Sequence, residues 1–148
     1  MLLGPLGGLI TSLASLERLA DALRRSEPRL LSAAGHARLR QPLWQWQAGE
    51  PAETEGGLFR AWSAGAQCFR DQAGGDRLRR RGGLSGFGHL ASAYGLLGGL
   101  VVNPASGQQS GWCAVYLLHG AVDAPGRYSA FNAAEESLLD RLLDPLPT

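Results

Sequence analysis

The 148-residue sequence predicts an α+β domain in which a small antiparallel sheet is covered by helices. Three observations predict it. Leucine and alanine recur at helical spacing near both ends of the chain. Two apolar runs, 97–103 and 112–119, flank the turn cluster Asn103-Pro104-Ala105-Ser106-Gly107 and pair naturally as an antiparallel hairpin. With 45% apolar residues, a chain of this length suits one core, so residues 1–148 form a single domain with a helical N-terminal part over about 9–40.

The first helix spans about 9–25, where Leu9, Leu13, Leu16, Ala20 and Leu23 recur at spacings of four and three. Thr11 or Ser12 is its cap, and Arg24 and Arg25 in the last turn suit the helix dipole. The leucine stripe reads first as a face of the core and second as a dimer seam. A second helix starts at Pro28, a residue favoured at the first helical position, and runs to about 40. Leu30, Leu31 and Ala34 mark its buried side, and Pro42 ends it because the residue before proline avoids the helical region.

Residues 43–47 alternate apolar and polar, which places Trp44 and Trp46 on one face of a short strand. Residues 48–57 contain Pro51 and three Glu and read as a surface loop. Residues 58–72 read as a helix with Leu58, Phe59, Trp62, Ala66 and Phe69 on one stripe and Cys68 beside it, broken by Gly74-Gly75. A basic turn or short helix over 76–81 leads into a glycine-rich connection over 82–88, and 89–94 reads as a short helical turn. In the strand 97–103, Gly98 and Gly99 allow a bulge or a close backbone approach. After the clear strand at 112–119, Asp123-Ala124-Pro125-Gly126 is a turn. Asn132 caps the last helix with Glu135 three residues on, an Asx form of the capping box. Leu138, Leu139, Leu142 and Leu143 make its apolar face and Pro145 stops it. Any further strand is expected within 48–57 or 121–129.

Composition excludes several function classes. A net charge of +1 gives no bulk reason to bind nucleic acid or an anionic membrane, and no apolar run reaches the roughly 18 residues of a membrane span. Met1-Leu2-Leu3-Gly4-Pro5 lacks the positive start of a secretory leader, so the expected compartment is the cytoplasm, with two free thiols. All fourteen basic residues are Arg, which fits GC-rich bacterial codon usage.

The chemistry-bearing residues are sparse. Cys113 and His119 share a strand face but stand roughly 20 Å apart, too far to share a metal, and no metal or other cofactor is expected. Cys68 with His89 is the one thiol–imidazole pair left open, and Cys68 sits in an apolar stretch where thiols act as small hydrophobes. Ser85 lacks the glycine and the preceding strand of a nucleophile elbow. Gly86-Phe87-Gly88-His89-Leu90-Ala91 fits G-x-G-x-x-A without the strand that a dinucleotide loop needs. Arg77, Arg79, Arg80 and Arg81 are the one dense basic patch. Asp71 and Asp76 lie close to it, so it reads as a solvated turn, with Arg80 and Arg81 as a candidate anion site. The aromatic residues offer more. Trp44, Trp46, Trp62 and Tyr116 are candidates to line a ligand pocket, with His89 or His119 as an orienting donor; filling the core explains the same rings equally well.

The C-terminal two-fifths shows an apolar hairpin, the Asp123-Ala124-Pro125 loop, Phe131-Asn132-Ala133-Ala134-Glu135, and a closing helix carrying Leu138-Leu139-Asp140-Arg141-Leu142-Leu143. This segment resembles the end of a GAF/PAS-like sensory domain, as in the ligand-sensing half of LuxR-type bacterial regulators. The resemblance implies a sensory or regulatory domain that acts through a homodimer or a protein partner, without catalysis. No segment here supplies the helix-turn-helix of those regulators, so DNA contact is not implied, and no ligand residue of the family carries over. The expectation is therefore a small cytoplasmic bacterial regulatory module that binds a small-molecule ligand. The alternative is an interaction protein without a ligand, such as an adaptor, a secretion chaperone or an immunity-type protein. Solvent-facing Leu13 and Leu16 would favour that alternative.

Overall fold

The computed structural model of the chain describes residues 11–49, 54–107 and 110–147. Helices α1 (Leu13–Arg24) and α2 (Ala33–Arg40) lead into six strands: β1 (Trp44–Gln45), β2 (Ala61–Trp62), β3 (Gln67–Phe69), β4 (Gly86–Ala93), β5 (Leu96–Asn103) and β6 (Trp112–His119). Helix α3 (Ala133–Leu143) closes the chain. The strands form one antiparallel sheet in sequence order, β1-β2-β3-β4-β5-β6, so every strand pairs only with its neighbours in the chain. The α+β class is as expected.

Ser12 caps α1 by accepting the Ser15 N–H, one of the two caps expected; the turn expected from Leu9 and residues 50–53 of the predicted loop lie outside the described residues. Ala20 is fully buried and Leu16 and Leu23 are half-buried, but Leu13 is 52% exposed, so the stripe serves the core only over its second half. Helix α2 begins at Ala33 rather than Pro28, because the Ser32 hydroxyl caps it by accepting the Gly35 N–H. Its inward residue is His36, whose Nε2 meets the Glu27 carbonyl at 3.0 Å, while Leu30 and Ala34 face solvent. Gln41, the residue before Pro42, is extended as expected.

The helix expected over 58–72 is instead the hairpin β2–β3. Gly65 turns it at φ +102, and Ser63 closes it by donating its hydroxyl to the Ala66 carbonyl. A glycine inside a helix costs about 1 kcal/mol, and here it sits where the reversal needs a left-handed residue. The two faces of β3 are both covered, so Gln67, Cys68 and Phe69 are all buried and no alternation betrays the strand. The helical turn expected over 89–94 is likewise the second half of β4. Tyr94 and Gly95 then reverse the chain at φ +52 and +78, the conformation that a two-residue hairpin turn demands. Gly86 and Gly88, read as part of a flexible connection, lie inside β4 under the Val102 and Leu100 carbonyls. The expected hairpin 97–103 with 112–119 forms as β5–β6. Its register is unbroken and carries no bulge; Gly99 makes room for the Tyr116 ring, which would stand 2.6 Å from a Cβ there.

Cross-strand partners share a face. Phe87, Val102 and Cys113 therefore point to one side, where Phe87 and Val102 pack with Ala20 of α1. Gly88, Val101 and Ala114 point to the other, where Val101 joins Phe69, Phe131, Tyr116, Leu139 and Leu143 in the main core. The Phe69 and Phe131 rings stack at 6.4 Å and 16°. Among the described residues no helix is long and apolar enough to cross a membrane.

Candidate functional site

A cleft of about 870 Å³ opens on the α3 side of the sheet. Its walls are the 3-10 turn Glu55–Gly57 with Leu58 and Phe59, the outer ends of β4 and β5 at Leu90, Ser92 and Leu97, and the loop 123–132 that leads into α3. Glu135 reaches it from the first turn of α3.

Two adjacent carboxylates organise this end of the molecule, and they do opposite things. Glu136 is enclosed by the loop. Its carboxylate accepts the N–H groups of Arg127 (2.9 Å), Tyr128 (3.0 Å) and Ser129 (3.0 Å) and the Ser129 hydroxyl (2.8 Å). Gly126 has no side chain because a Cβ there would stand 2.6 Å from the Glu136 carboxylate. Burial pushes Glu136 up, but these donors outweigh it and hold the carboxyl below the usual range. Glu135 is 5% exposed, and one of its oxygens accepts the buried Tyr116 hydroxyl at 2.9 Å. Burial raises Glu135 above the usual range against the pull of Tyr116 and of the Asn132 N–H, and burial together with the Glu135 charge pushes Tyr116 up.

The signs give a pH prediction. Glu136, lowered on folding, contributes stability that is present above its unfolded pKa near 4.5 and is lost as pH falls through the folded value. Glu135, raised on folding, costs stability as pH rises from that unfolded value through its folded one. Chemical denaturation across pH is expected to show Glu136→Gln flattening the acid limb and Glu135→Gln flattening the neutral limb.

The predicted site residues fall in other places. Trp44 and Trp62 are direct partners across β1 and β2. Trp62 meets the His89 ring edge-on at 6.0 Å and lies 5.8 Å from Phe59. Trp46 is half-buried, with the Arg60 guanidinium 5.1 Å from its ring centre. These rings gather at the β1–β2 end of the sheet, while Tyr116 stands on β6 in the core and His119 is exposed at the end of β6. Trp44, Trp46, Trp62, His89 and His119 are not among the residues lining the cleft, so the convergence of the four aromatics in one pocket is not what the fold builds. Phe59 connects the two regions, since it touches Trp62 and lines the cleft.

The basic cluster has a structural task. Arg79 is fully buried and donates to the carbonyls of Gly82 (2.8 Å), Leu143 (2.9 Å) and Leu146 (2.6 Å). Arg81 donates to the Asp144 and Leu146 carbonyls at 2.5 and 2.7 Å and pairs with the Asp144 carboxylate at 3.3 Å. The Arg80 N–H donates to Asp140 and Arg77 pairs with Asp71. The guanidinium of Arg81, half of the expected anion site, is thus engaged at the C-terminus of α3, whose carbonyls attract cations. The side chain of Arg80 is exposed.

Burial pushes both cysteine thiols up, the reverse of what activates a nucleophile. Among the described residues no cluster of His, Cys, Asp and Glu could hold a metal ion.

Glu135 is the residue that sequence reasoning named only as a cap. The signal was present: Glu135, Leu139 and Leu143 lie four apart, which puts the carboxyl on the buried stripe of α3. No family model, curated protein or solved structure matches this chain.

Proposed function

We propose that this protein is a small cytoplasmic regulatory or sensory module, GAF/PAS-like in its C-terminal part, and that the cleft beside Glu135 is its ligand site. The observation that carries the reading is a cleft of ligand size with mixed polar and apolar walls and one nearly buried carboxyl among its lining residues, the features of a default binding-site hypothesis. One wall is a loop held by hydrogen bonds to Glu136 on the first turn of α3, so an occupant that favours one arrangement of the loop also favours one placement of the helix. A changed α3 surface then alters a dimer or partner contact.

Native mass spectrometry beside the denatured mass tests this. A folded protein carrying extra small-molecule mass is expected, and Ser92→Trp, which fills the cleft from an exposed strand position, is expected to abolish that mass while leaving the thermal midpoint within a few degrees. Ligand retained by the filled variant would move the site elsewhere.

A second reading, an interaction protein without a small ligand, is favoured by one observation: Leu13 on α1 is 52% exposed, with Leu19 at 36%. A ligand-free oligomer that Leu13→Ser dissociates in the same measurement would support it.

A further inference from the structure

We infer that the cleft takes an organic cation: a protonated amine joined to an apolar or aromatic body. This rests on the reading of the cleft as a ligand site.

Several hydrogen-bond donors around the Glu135 end of the cleft are already engaged within the protein. Tyr116 gives its hydroxyl to Glu135, Ser129 gives its hydroxyl to Glu136, and Asn132 gives its amide to the Val122 carbonyl while its oxygen takes the Ala134 N–H. A carboxylate has about four acceptor positions, and the Tyr116 hydroxyl and the Asn132 N–H fill two of those on Glu135. The open positions on the Glu135 carboxylate favour an occupant that brings hydrogen-bond donors. The lining contains the carboxyls of Glu55, Asp123 and Glu135 and no Arg or His, so a donor that carries positive charge is favoured over a neutral one and an anion is opposed. Phe59, Leu90, Leu97 and Phe131 supply the apolar surface for the body of the molecule. A cation placed there also favours the ionised form of Glu135, which burial alone opposes.

The test is a matched series of probes of one shape: phenethylammonium, the neutral 2-phenylethanol and the anionic 3-phenylpropionate. Each is titrated into the full chain and followed by amide resonances of the loop 123–132 and of β4. Phenethylammonium is expected to bind about tenfold or more tighter than the alcohol, with the propionate weakest. Glu135→Gln, which keeps an acceptor for Tyr116, is expected to erase the preference for the amine over the alcohol. Asp123→Asn, at an exposed position that carries no fold risk, is expected to weaken the amine about twofold to fivefold. Equal binding of the alcohol, tighter binding of the propionate, or an unchanged preference in Glu135→Gln would overturn the cation assignment and leave the cleft as a ligand site. Failure of all three probes to move the cleft resonances at millimolar concentration would overturn the assignment together with the cleft reading.

Discussion

Arg79→Met is expected to lower the stability of the protein by about 3 kcal/mol or more, the largest loss from any single side chain described here. The guanidinium is fully buried and donates to four carbonyls, those of Gly82, Leu143, Asp144 and Leu146, from two separate segments of the chain. Methionine retains the stem and loses every donor, so the Gly82 carbonyl loses this partner, while the Leu143 carbonyl keeps only the Leu146 N–H and the Leu146 carbonyl keeps only Arg81. Burial and the neighbouring Arg81 work against the charge, while the carbonyls and the carboxylates of Asp144, Asp71 and Asp140 favour it. In a chain of this size the loss corresponds to roughly 6–12 °C in thermal midpoint. Arg80→Met is the control: its side chain is exposed, and the change should stay within about 0.5 kcal/mol. A loss below 1 kcal/mol for Arg79→Met would mean that α3 holds its C-terminus without the clamp.

Gly88→Ala is expected to cost about 3 kcal/mol and to disturb the centre of the sheet rather than its margin. A Cβ at this position overlaps the Leu100 carbonyl oxygen and stands 2.9 Å from the Leu100 carbonyl carbon and 3.0 Å from the Val101 Cα. These are backbone atoms of the paired strand, so no rotamer change relieves the overlap and β4 has to separate from β5. The contrast is Gly65→Ala, where nothing lies within 4 Å and the cost is only that of a left-handed φ. Amide exchange should accelerate along both β4 and β5 in the first variant and remain local in the second. Equal and local effects would show that β4 and β5 are not in close contact at Gly88.

The ends of the molecule were legible in the sequence because their signals are local. The Ser12 cap and the second half of the leucine stripe of α1, the β5–β6 hairpin and the Asn132 cap of α3 are each written within one element and appear where expected. The middle was not legible. Between residues 58 and 93 the spacing of Leu58, Trp62, Ala66 and Phe69 imitates a helix, and only the sheet partners reveal strands. Strand β3, covered on both faces, carries no alternation, and the turn at Tyr94-Gly95 lacks the Asn-Gly or Asp-Gly that marks such turns. The aromatic residues misled the site reading for a related reason. Composition shows that four tryptophans are present, but which wall each one joins depends on strand order, and the meander gathers Trp44 and Trp62 far along the sheet from Tyr116. Arg79 could not be separated from Arg80 by pattern, because all its partners but Gly82 are carbonyls more than sixty residues later.

The meander has a consequence for the order in which the chain assembles. Each strand pairs with the strand made just before it, so the sheet can grow hairpin by hairpin, with short loops at β2–β3, β4–β5 and β5–β6 and longer ones over 46–60 and 70–85. Helix α1 is the exception. It is synthesised before the strands, yet its apolar stripe is covered by Val102 and the Arg24 carbonyl in its last turn accepts the N–H of Ala105, eighty-one residues further along. During synthesis α1 therefore waits, with leucines uncovered, until most of the sheet has left the ribosome. Chains arrested before β5 should be the ones that chaperones retain, and chains that extend through β6 should be released.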